Sequence, residues 1–490
     1  MSVNDGSQIS GANQSGHEFK PMAPAPEGLN KIKETDVPIA ESKEKVYTKT
    51  EAADLVELPL VEQKKESTVL GSSFMLTNLC LGTTIFTFGV RAKAFGLVWF
   101  LIVCTIVAVV NYWSIMRCVY ASARCPDLDD YSEITEKILN RKFRIVLNIF
   151  IILYSYGFCM CYCALIYSLF GRFILSAGYS KDYVDYNDFL DRKWGKAYIK
   201  YPFYIGVGFI LSLMGLIKDI NKLNFSAYLG VLSCLYGLLV VLIQCHSYYT
   251  HYRNNIYKKD DESTHANFIN LGDAFTKKLE FFKGLSTLFA AYACHPGIFP
   301  VYSGFKRQEG QGLKKMKIAT FLGTLLTTAL HYISITCSFL TDPVTPEDLI
   351  VFRKSKDSGK DIAMTIAKLF VAISLMFTFP GYYFTLRLSI SNSCTNGQIK
   401  PLFNYIVTFA SCFGCCLVAA VYDKILNYLN YVGGFLSVFI CYLNPCILCI
   451  KTSGKPFTYW KNILELSVAI LLSVIGVIAG ILTIIDDVSG

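Results

Sequence analysis

Long apolar segments recur along this chain and are separated by polar loops. Each segment is close to the roughly 20 residues that a helix needs to cross the hydrocarbon core of a bilayer. The pattern predicts an all-α membrane protein with eleven spanning helices. These predicted spans cover residues 69–90, 95–117, 143–176, 201–217, 222–246, 281–304, 317–340, 363–390, 402–421, 427–450 and 461–485.

The polar residues between the spans predict an orientation. The loops 177–200, 247–280 and 341–362 mix acidic residues with Lys, whereas the loops on the other side are basic. Because cytoplasmic loops carry an excess of Lys and Arg, the basic side is predicted to be cytoplasmic. With an odd number of spans, the N-terminus is cytoplasmic and the C-terminus lies outside. The basic residues are Arg117, Arg124, Lys137, Arg141, Lys142, Arg144, Lys306, Arg307, Lys314, Lys315 and Lys317.

The first 66 residues differ from the rest of the chain. They combine Gly, Ser, Asn and Pro with mixed Lys and Glu and almost no aromatic residues. Such a segment buries too little apolar surface to offset the entropy of ordering. We predict a disordered cytoplasmic tail over 1–66, followed by one transmembrane domain over 67–490.

Composition narrows the function classes. Apolar residues make up 53% of the chain and charged residues 17%, which favours a bilayer as the solvent. The net charge of +9 is spread over loops and tail, so no nucleic-acid partner is expected. The 18 cysteines fall mostly inside spans and are interpreted as packing residues. No phosphate loop, zincin pair or nucleophile elbow occurs, so we predict neither an enzyme nor a bound cofactor.

Two of the predicted spans contain helix-breaking residues at mid-depth. The first carries Gly82, Thr83 and Thr84 in the stretch 78–85, and the sixth carries Pro296 and Pro300 in the stretch 293–300. Proline removes an amide donor and clashes with the preceding turn, so the sixth span must unwind or kink. Freed backbone at that depth is tolerated only against protein or water.

Spans one and six are equivalent positions if spans one to five and six to ten form two halves. Paired broken helices at equivalent positions indicate an inverted-repeat transporter that binds its substrate near the midplane of the membrane. Half-helix N-termini offer amides to a carboxylate, and half-helix C-termini offer carbonyls to a cation or an ammonium group. An α-amino acid presents both groups. The alternative is that these Gly and Pro residues only shape helix packing.

Three motifs carry a resemblance to a known family. The stretch 294–302, continued by Phe305 and Lys306, resembles the sixth helix of the sodium-coupled neutral amino acid transporter family, within the amino acid/auxin permease group. Asn78, four residues before Gly82, resembles that family's first helix. The segment Thr378 to Pro380, followed by an aromatic residue and an Arg, is similar to its eighth helix.

The resemblance implies a LeuT-type fold, a 5+5 inverted repeat of eleven helices with spans one and six broken. It also implies a cation site at Asn78 and Thr378. Both supply oxygen ligands suited to a hard cation such as Na⁺. The alternatives are an interhelical hydrogen bond for Asn78 and a bond from Thr378 to a carbonyl of the preceding turn, that of Ser374 or Leu375.

The substrate site is predicted between the two breaks. Span one contributes Gly82, Thr83 and Thr84, and span six faces them with Ala291, Tyr292, Ala293, Cys294 and His295. Thr84 stands where the family pattern has a second Gly and adds a β-branched side chain at a close backbone approach. His295 is either a neutral structural residue beside the break or a proton-coupling group.

The resemblance implies symport of neutral amino acids with Na⁺ or H⁺. A cationic amino acid as substrate, an amino acid sensor on the same fold, and an uncoupled pathway remain as alternatives. The plasma membrane is preferred to a lysosome or vacuole. The preferred amino acid, the stoichiometry and the oligomeric state are not readable from the sequence.

Overall fold

The computed structural model describes residues 67–82, 84–179, 185–217, 224–255, 268–269, 278–306, 310–342, 347–353, 355, 361–394, 401–422 and 424–489. The predicted tail over 1–66 and the candidate residue Thr83 lie outside these ranges. Helices, turns and loops make up the described residues, which contain no strand.

Sixteen α-helices are labelled here in chain order. They are α1 (Val69–Leu81), α2 (Phe88–Phe95), α3 (Leu97–Ala123), α4 (Tyr131–Ile138), α5 (Arg141–Ile174), α6 (Tyr186–Phe189), α7 (Ala197–Gly215), α8 (Asn224–Asn255), α9 (Lys278–Ala291), α10 (His295–Lys306), α11 (Gly312–Thr341), α12 (Ile362–Cys394), α13 (Pro401–Val421), α14 (Ile425–Tyr431), α15 (Asn444–Thr452) and α16 (Trp460–Ser489). Short 3₁₀ turns occupy Thr84–Phe86 and Ile350–Phe352, and π-helical turns extend α5 and join α14 to α15.

Within the described ranges, nine helical stretches of 19 to 38 residues are long and apolar enough to cross a bilayer. They correspond to α3, α5, α7, α8, α11, α12, α13, the continuous α14–α15 stretch, and α16. A mean hydropathy of 1.3 to 2.9 over each best window fits helices that face lipid on one side. The protein is an integral multi-pass membrane protein.

The first and sixth predicted spans are each divided into two shorter helices. Span one consists of α1 and α2, separated at Gly82 to Thr87, and span six consists of α9 and α10, separated at Tyr292 to Cys294. The breaks predicted from the helix-breaking residues are therefore present. Each half-helix is too short to cross a bilayer alone, so the halves depend on packing against the full-length helices.

The long helices hold the broken ones in place. α12 packs most extensively against α5 and α8, α1 packs against α11, and α13 packs against α7 and α5. Small residues permit the closest approaches: a Cβ on Gly297 of α10 would lie 2.5 Å from Leu79 Cδ1 of α1. This contact keeps the inner halves of the two broken spans adjacent.

The cysteines pack inside the bundle. All 18 lie in described ranges and are free of disulfides, and every one except the exposed Cys394 is buried. Cys163 of α5 and Cys416 of α13 meet with their sulfurs 3.6 Å apart, which is van der Waals packing of two thiols. The interpretation of the cysteines as small packing residues fits this arrangement.

The loops predicted to be cytoplasmic meet at one end of the bundle. Lys306, at the end of α10, places its ammonium 3.5 Å from Asp129 and donates to the Cys125 carbonyl at 3.1 Å. Arg144 pairs with Glu136 and donates to the Asn392 carbonyl. Burial lowers the pKa of Lys306, and the negative charge of Asp129 partly opposes this shift by favouring the protonated ammonium group.

The loops predicted to lie outside meet at the other end. Arg353 pairs with Asp361 at 3.5 Å, and its guanidinium lies 3.7 Å from the centre of the Tyr248 ring. Burial raises the pKa of Asp361, but hydrogen bonds from Gln244, the Met364 amide and Tyr248 outweigh it and leave the pKa below its ordinary value. These loops therefore form a second, separate polar layer.

Cysteine labelling tests which layer is cytoplasmic. In a Cys394→Ser background, Arg141→Cys and Lys314→Cys should react with an impermeant maleimide only after digitonin opens the plasma membrane, which leaves organelles sealed. Lys196→Cys, at the opposite end, should already react before digitonin is added. All three native side chains are exposed, so each introduced cysteine can react once the reagent reaches its side of the membrane. The same labelling pattern for Lys196 and Lys314 would contradict the predicted topology.

Candidate functional site: two broken helices

The break in span one is built around Gly82. Its backbone adopts φ +25° and ψ −139°, a conformation that L side chains rarely adopt, and it ends α1. A 3₁₀ turn follows, in which the Thr84 carbonyl accepts hydrogen bonds from the Thr87 amide at 3.0 Å and the Thr87 hydroxyl at 2.8 Å. The chain returns to α-helix after this turn, and α2 begins at Phe88.

The break in span six follows Ala291. Tyr292 and Ala293 still bond back to α9, and Gly297 closes the first turn of α10 on the Cys294 carbonyl at 3.0 Å. Pro296 lies in the first turn of α10, where its missing amide would have no intrahelical partner. Proline thus serves here as a helix start, and the preceding residues carry the irregular backbone.

Tyrosine hydroxyls satisfy the carbonyls that the breaks free. Tyr382 of α12 donates to the Leu79 carbonyl at 2.6 Å, and Tyr154 of α5 donates to the Ala293 carbonyl. Ser334 of α11 donates to the carbonyl of Ile85. An unpaired carbonyl in an apolar interior costs about 1–3 kcal/mol, so these donors stabilise the broken conformation directly.

An aromatic cluster from span three lies behind the breaks. Phe158 stacks on Tyr382 with ring centroids 4.5 Å apart, and Tyr162 meets the same ring edge-on at 5.7 Å. The Tyr162 hydroxyl points at Gly82, 2.7 Å from the position that a Cβ would take there. Among the described residues this buried hydroxyl has no hydrogen-bond partner, as is also true of the Thr84 hydroxyl.

The two predicted cation ligands converge on a glycine of α8. Asn78 Oδ1 lies 2.9 Å and Thr378 Oγ1 3.3 Å from the position that a Cβ would take on Gly230. Thr378 donates its hydrogen to the Ser374 carbonyl at 2.9 Å, the alternative bond expected from the sequence, and Ser374 donates to the Gly230 carbonyl at 2.7 Å. The hydroxyl hydrogen of Thr378 is thus engaged by the Ser374 carbonyl.

His295 lies fully buried at the start of α10. Its Nε2 is 3.2 Å from Ser114 Oγ on α3, and Ser114 directs its own hydrogen to the Cys441 carbonyl. Ser114 therefore accepts, and Nε2 carries the imidazole proton. The residue binds a neighbouring hydroxyl rather than the freed backbone of the break.

Arg91 does not lie free at the end of α2. It is buried and pairs with Glu280 of α9 at 2.9 Å, which joins the second half of span one to the first half of span six. Burial beside an acid thus makes Arg91 part of an internal ion pair, whereas Lys93 on the same short helix is exposed.

The structure buries the predicted site residues of span six and places span one against them through Cys80. Ala291, Tyr292, Ala293 and Cys294 are no more than 3% exposed, and Cys80 Sγ contacts the Tyr292 carbonyl at 3.9 Å. Tyr382 touches the break in span one, whereas Tyr383 points away and bonds Ser411 at 2.9 Å. The residues beside the breaks that the sequence pattern did not single out are Ser114, Tyr162 and His331.

A family model agrees with this architecture. The model described as transmembrane amino acid transporter protein matches residues 65–486, nearly the whole described bundle. The chain belongs to the transmembrane amino acid transporter family. This confirms the family resemblance carried by the motifs in spans one, six and eight.

Individual relatives have low sequence identity to this chain, and two of the alignments cover most of its length. It is 20% identical over 427 residues to sodium-coupled neutral amino acid transporter 7 of Bos taurus, covering 84% of this chain and 85% of the relative. The Homo sapiens protein of the same name is 19% identical over the same shares of both chains. Sodium-coupled neutral amino acid symporter 2 of Danio rerio is 20% identical over 50% of each chain.

Substituting Gly82 tests the break in span one. Gly82→Ala should lower amino acid binding on the order of tenfold, because the new methyl group is strained at φ +25° and collides with the Tyr162 hydroxyl. Gly454→Ala is the matched control: it also has positive φ, at +69°, but a Cβ there meets nothing within 4 Å. Equal losses in both variants, measured by ligand-induced thermal stabilisation, would contradict a special role for Gly82.

Proposed function

We propose that this protein is a secondary transporter that moves neutral amino acids across a membrane together with Na⁺ or H⁺, by alternating access. The proposal rests on one observation above all: the two broken spans meet at their breaks, where Cys80 contacts the Tyr292 carbonyl at 3.9 Å. The bundle is interpreted as a LeuT-type 5+5 repeat of eleven spans. In it, α1–α2 form span one and α9–α10 form span six.

The breaks suit both ends of an amino acid. Helices α1 and α9 end here at Leu81 and Ala291, and α2 and α10 begin here at Phe88 and His295. Helix N-termini carry partial positive charge for a carboxylate, and C-termini carry partial negative charge for an ammonium group. The unpaired Tyr162 hydroxyl supplies a further donor beside Gly82 and is assigned to the substrate carboxylate.

The pair Asn78 and Thr378 is proposed as the Na⁺ site. Both offer neutral oxygen atoms, and the space between them is left open because Gly230 has no side chain. The Thr378 hydrogen is directed away, toward Ser374, so the lone pairs are available to a cation. The alternative coupling ion is H⁺, which would bind a different group of the same transporter.

Access to this site requires motion. The residues assigned to substrate lie buried among α3, α5, α11 and α12, so amino acids enter only when the bundle opens on one side. The ion pair between Arg91 and Glu280 ties α2 to α9. The two outer half-helices are therefore expected to move as one unit during opening.

Uptake by proteoliposomes tests the function. Uptake is measured for a panel of radiolabelled neutral and cationic amino acids, with a Na⁺ gradient and a proton gradient imposed in separate experiments. At least one amino acid should accumulate inside the vesicles in response to one of the gradients. Saturable binding without flux would favour a sensor on the same fold. Flux that neither gradient drives would favour an uncoupled pathway, and absence of both flux and binding would reject the proposal.

Three substitutions test the cation site. Asn78→Ala and Thr378→Ala should each raise the cation concentration for half-maximal uptake by about tenfold, the loss of roughly 1.4 kcal/mol expected for one ligand. Gly230→Ala should do the same, because its methyl group lies between the two oxygens.

Gly237→Ala is the control for Gly230→Ala. It adds an equally crowded methyl group two turns later on α8, 3.2 Å from Val371 and 3.3 Å from Phe86, away from the proposed ligands. Its cation dependence should match that of the native protein. If Asn78→Ala and Thr378→Ala keep the native cation dependence, the assignment is wrong.

Removing one hydroxyl tests the substrate carboxylate contact. Tyr162→Phe should raise the amino acid KM about tenfold, since a hydrogen bond to a charged group contributes about 1.5–3 kcal/mol. It should leave the cation dependence unchanged. Tyr383→Phe, which loses a hydroxyl on the same helix as Tyr382 but away from the break, should leave the KM near the native value.

A further inference from the structure

His331 lies between the two breaks on a helix that is itself unbroken. It is fully buried in α11, with its ring centroid 5.0 Å from that of Phe88, where α2 begins, and 4.9 Å from that of Tyr292, where α9 ends. One turn later, Ser334 donates to the Ile85 carbonyl in the first break. A single imidazole thus contacts residues of both broken spans.

Neither ring nitrogen of His331 has a hydrogen-bond partner among the described residues. Four other buried basic side chains of the described spans each have at least one polar partner: Arg91 bonds to Glu280, His295 Nε2 to Ser114, Lys368 to Ser176 and Arg387 to the Gly215 carbonyl. Leaving an imidazole donor and acceptor unpaired in an apolar interior costs about 1–3 kcal/mol per group. A buried polar side chain maintained at that cost within a membrane protein indicates a functional site.

Among the described residues, no charged side chain contacts the imidazole. The ionisable groups on the surrounding elements are Tyr292, then Cys80 on α1 and Cys104 on α3, which both contact Tyr292, and Cys245 on α8, which contacts the Cys337 carbonyl beyond His331. On α2 the next one is Arg91, whose charge is matched by Glu280. A proton on His331 would therefore be a new net charge at this position.

We propose that His331 is a proton-binding site linked to amino acid transport. When the half-helices move apart and water reaches α11, a proton from solvent adds to the ring lone pair and gives an imidazolium. In this structure the rings of Phe88 and Tyr292 meet the imidazole edge to face, with centroids 5.0 and 4.9 Å away, a distance at which an aromatic ring can stabilise a cation. Because closure changes the exposure of the imidazole, proton binding and substrate binding are linked. The inference rests on the proposed transport function.

Hydrogen–deuterium exchange at histidine C2, followed by mass spectrometry, tests the site in the native full-length protein. The rate of this exchange reports the protonation of each imidazole separately. His331 should show a titration midpoint that shifts when a transported amino acid is added, and His295 should not shift. A His331 rate that amino acid leaves unchanged at every pH overturns the proposal.

His331→Gln tests the same link functionally, with uptake measured between about pH 5 and about pH 8 at clamped potential and fixed Na⁺. In the native protein the half-maximal amino acid concentration should change by up to about tenfold per pH unit, the limit for one linked proton. His331→Gln should flatten this dependence. His295→Gln should keep the slope even if uptake falls at every pH.

The outcomes separate this inference from the transport function. No uptake by the native protein at any pH rejects the transport function itself. Uptake with an unchanged pH slope in His331→Gln, or with no slope in the native protein, rejects the proton site alone. If His331→Gln fails to fold, the exchange measurement on the native protein decides.

Discussion

Unpaired backbone groups are the constraint on which this structure depends. A membrane offers no water to the carbonyls and amides of a broken helix, so each must find a partner inside the protein. Here the hydroxyls of Tyr154, Tyr382 and Ser334, from three different helices, bond the carbonyls of Ala293, Leu79 and Ile85. The full-length helices therefore stabilise the breaks, and the breaks in turn leave irregular backbone inside the described bundle.

The same constraint explains which polar groups stand out. A hydroxyl that donates to a backbone carbonyl, as that of Tyr382 does to Leu79, has a structural role. Where a buried hydroxyl or imidazole has no partner in the described structure, as for Tyr162 and His331, the missing partner is expected to be a transported species or water. Substrate and proton are thus assigned to different groups on different helices, and each assignment can fail without the other.

Ion pairs connect different segments of the chain. Arg91 and Glu280 join α2 to α9 within the bundle, while Lys306 with Asp129 and Arg353 with Asp361 hold the loops at opposite ends. A buried pair is costly to separate because each charge would be left without compensation. Motion of α2 and α9 as one unit is therefore cheaper than motion of either alone.

The sequence by itself determined the membrane class, the two broken spans and the family, because hydropathy, proline chemistry and motif spacing are local properties of the chain. Only the tertiary structure decided what each polar group touches. Arg91 faces an acid 189 positions away, Tyr162 faces Gly82 across the bundle, and His331 sits in an otherwise ordinary span between two breaks. Such contacts depend on how helices pack side by side, which no periodicity along a single helix encodes.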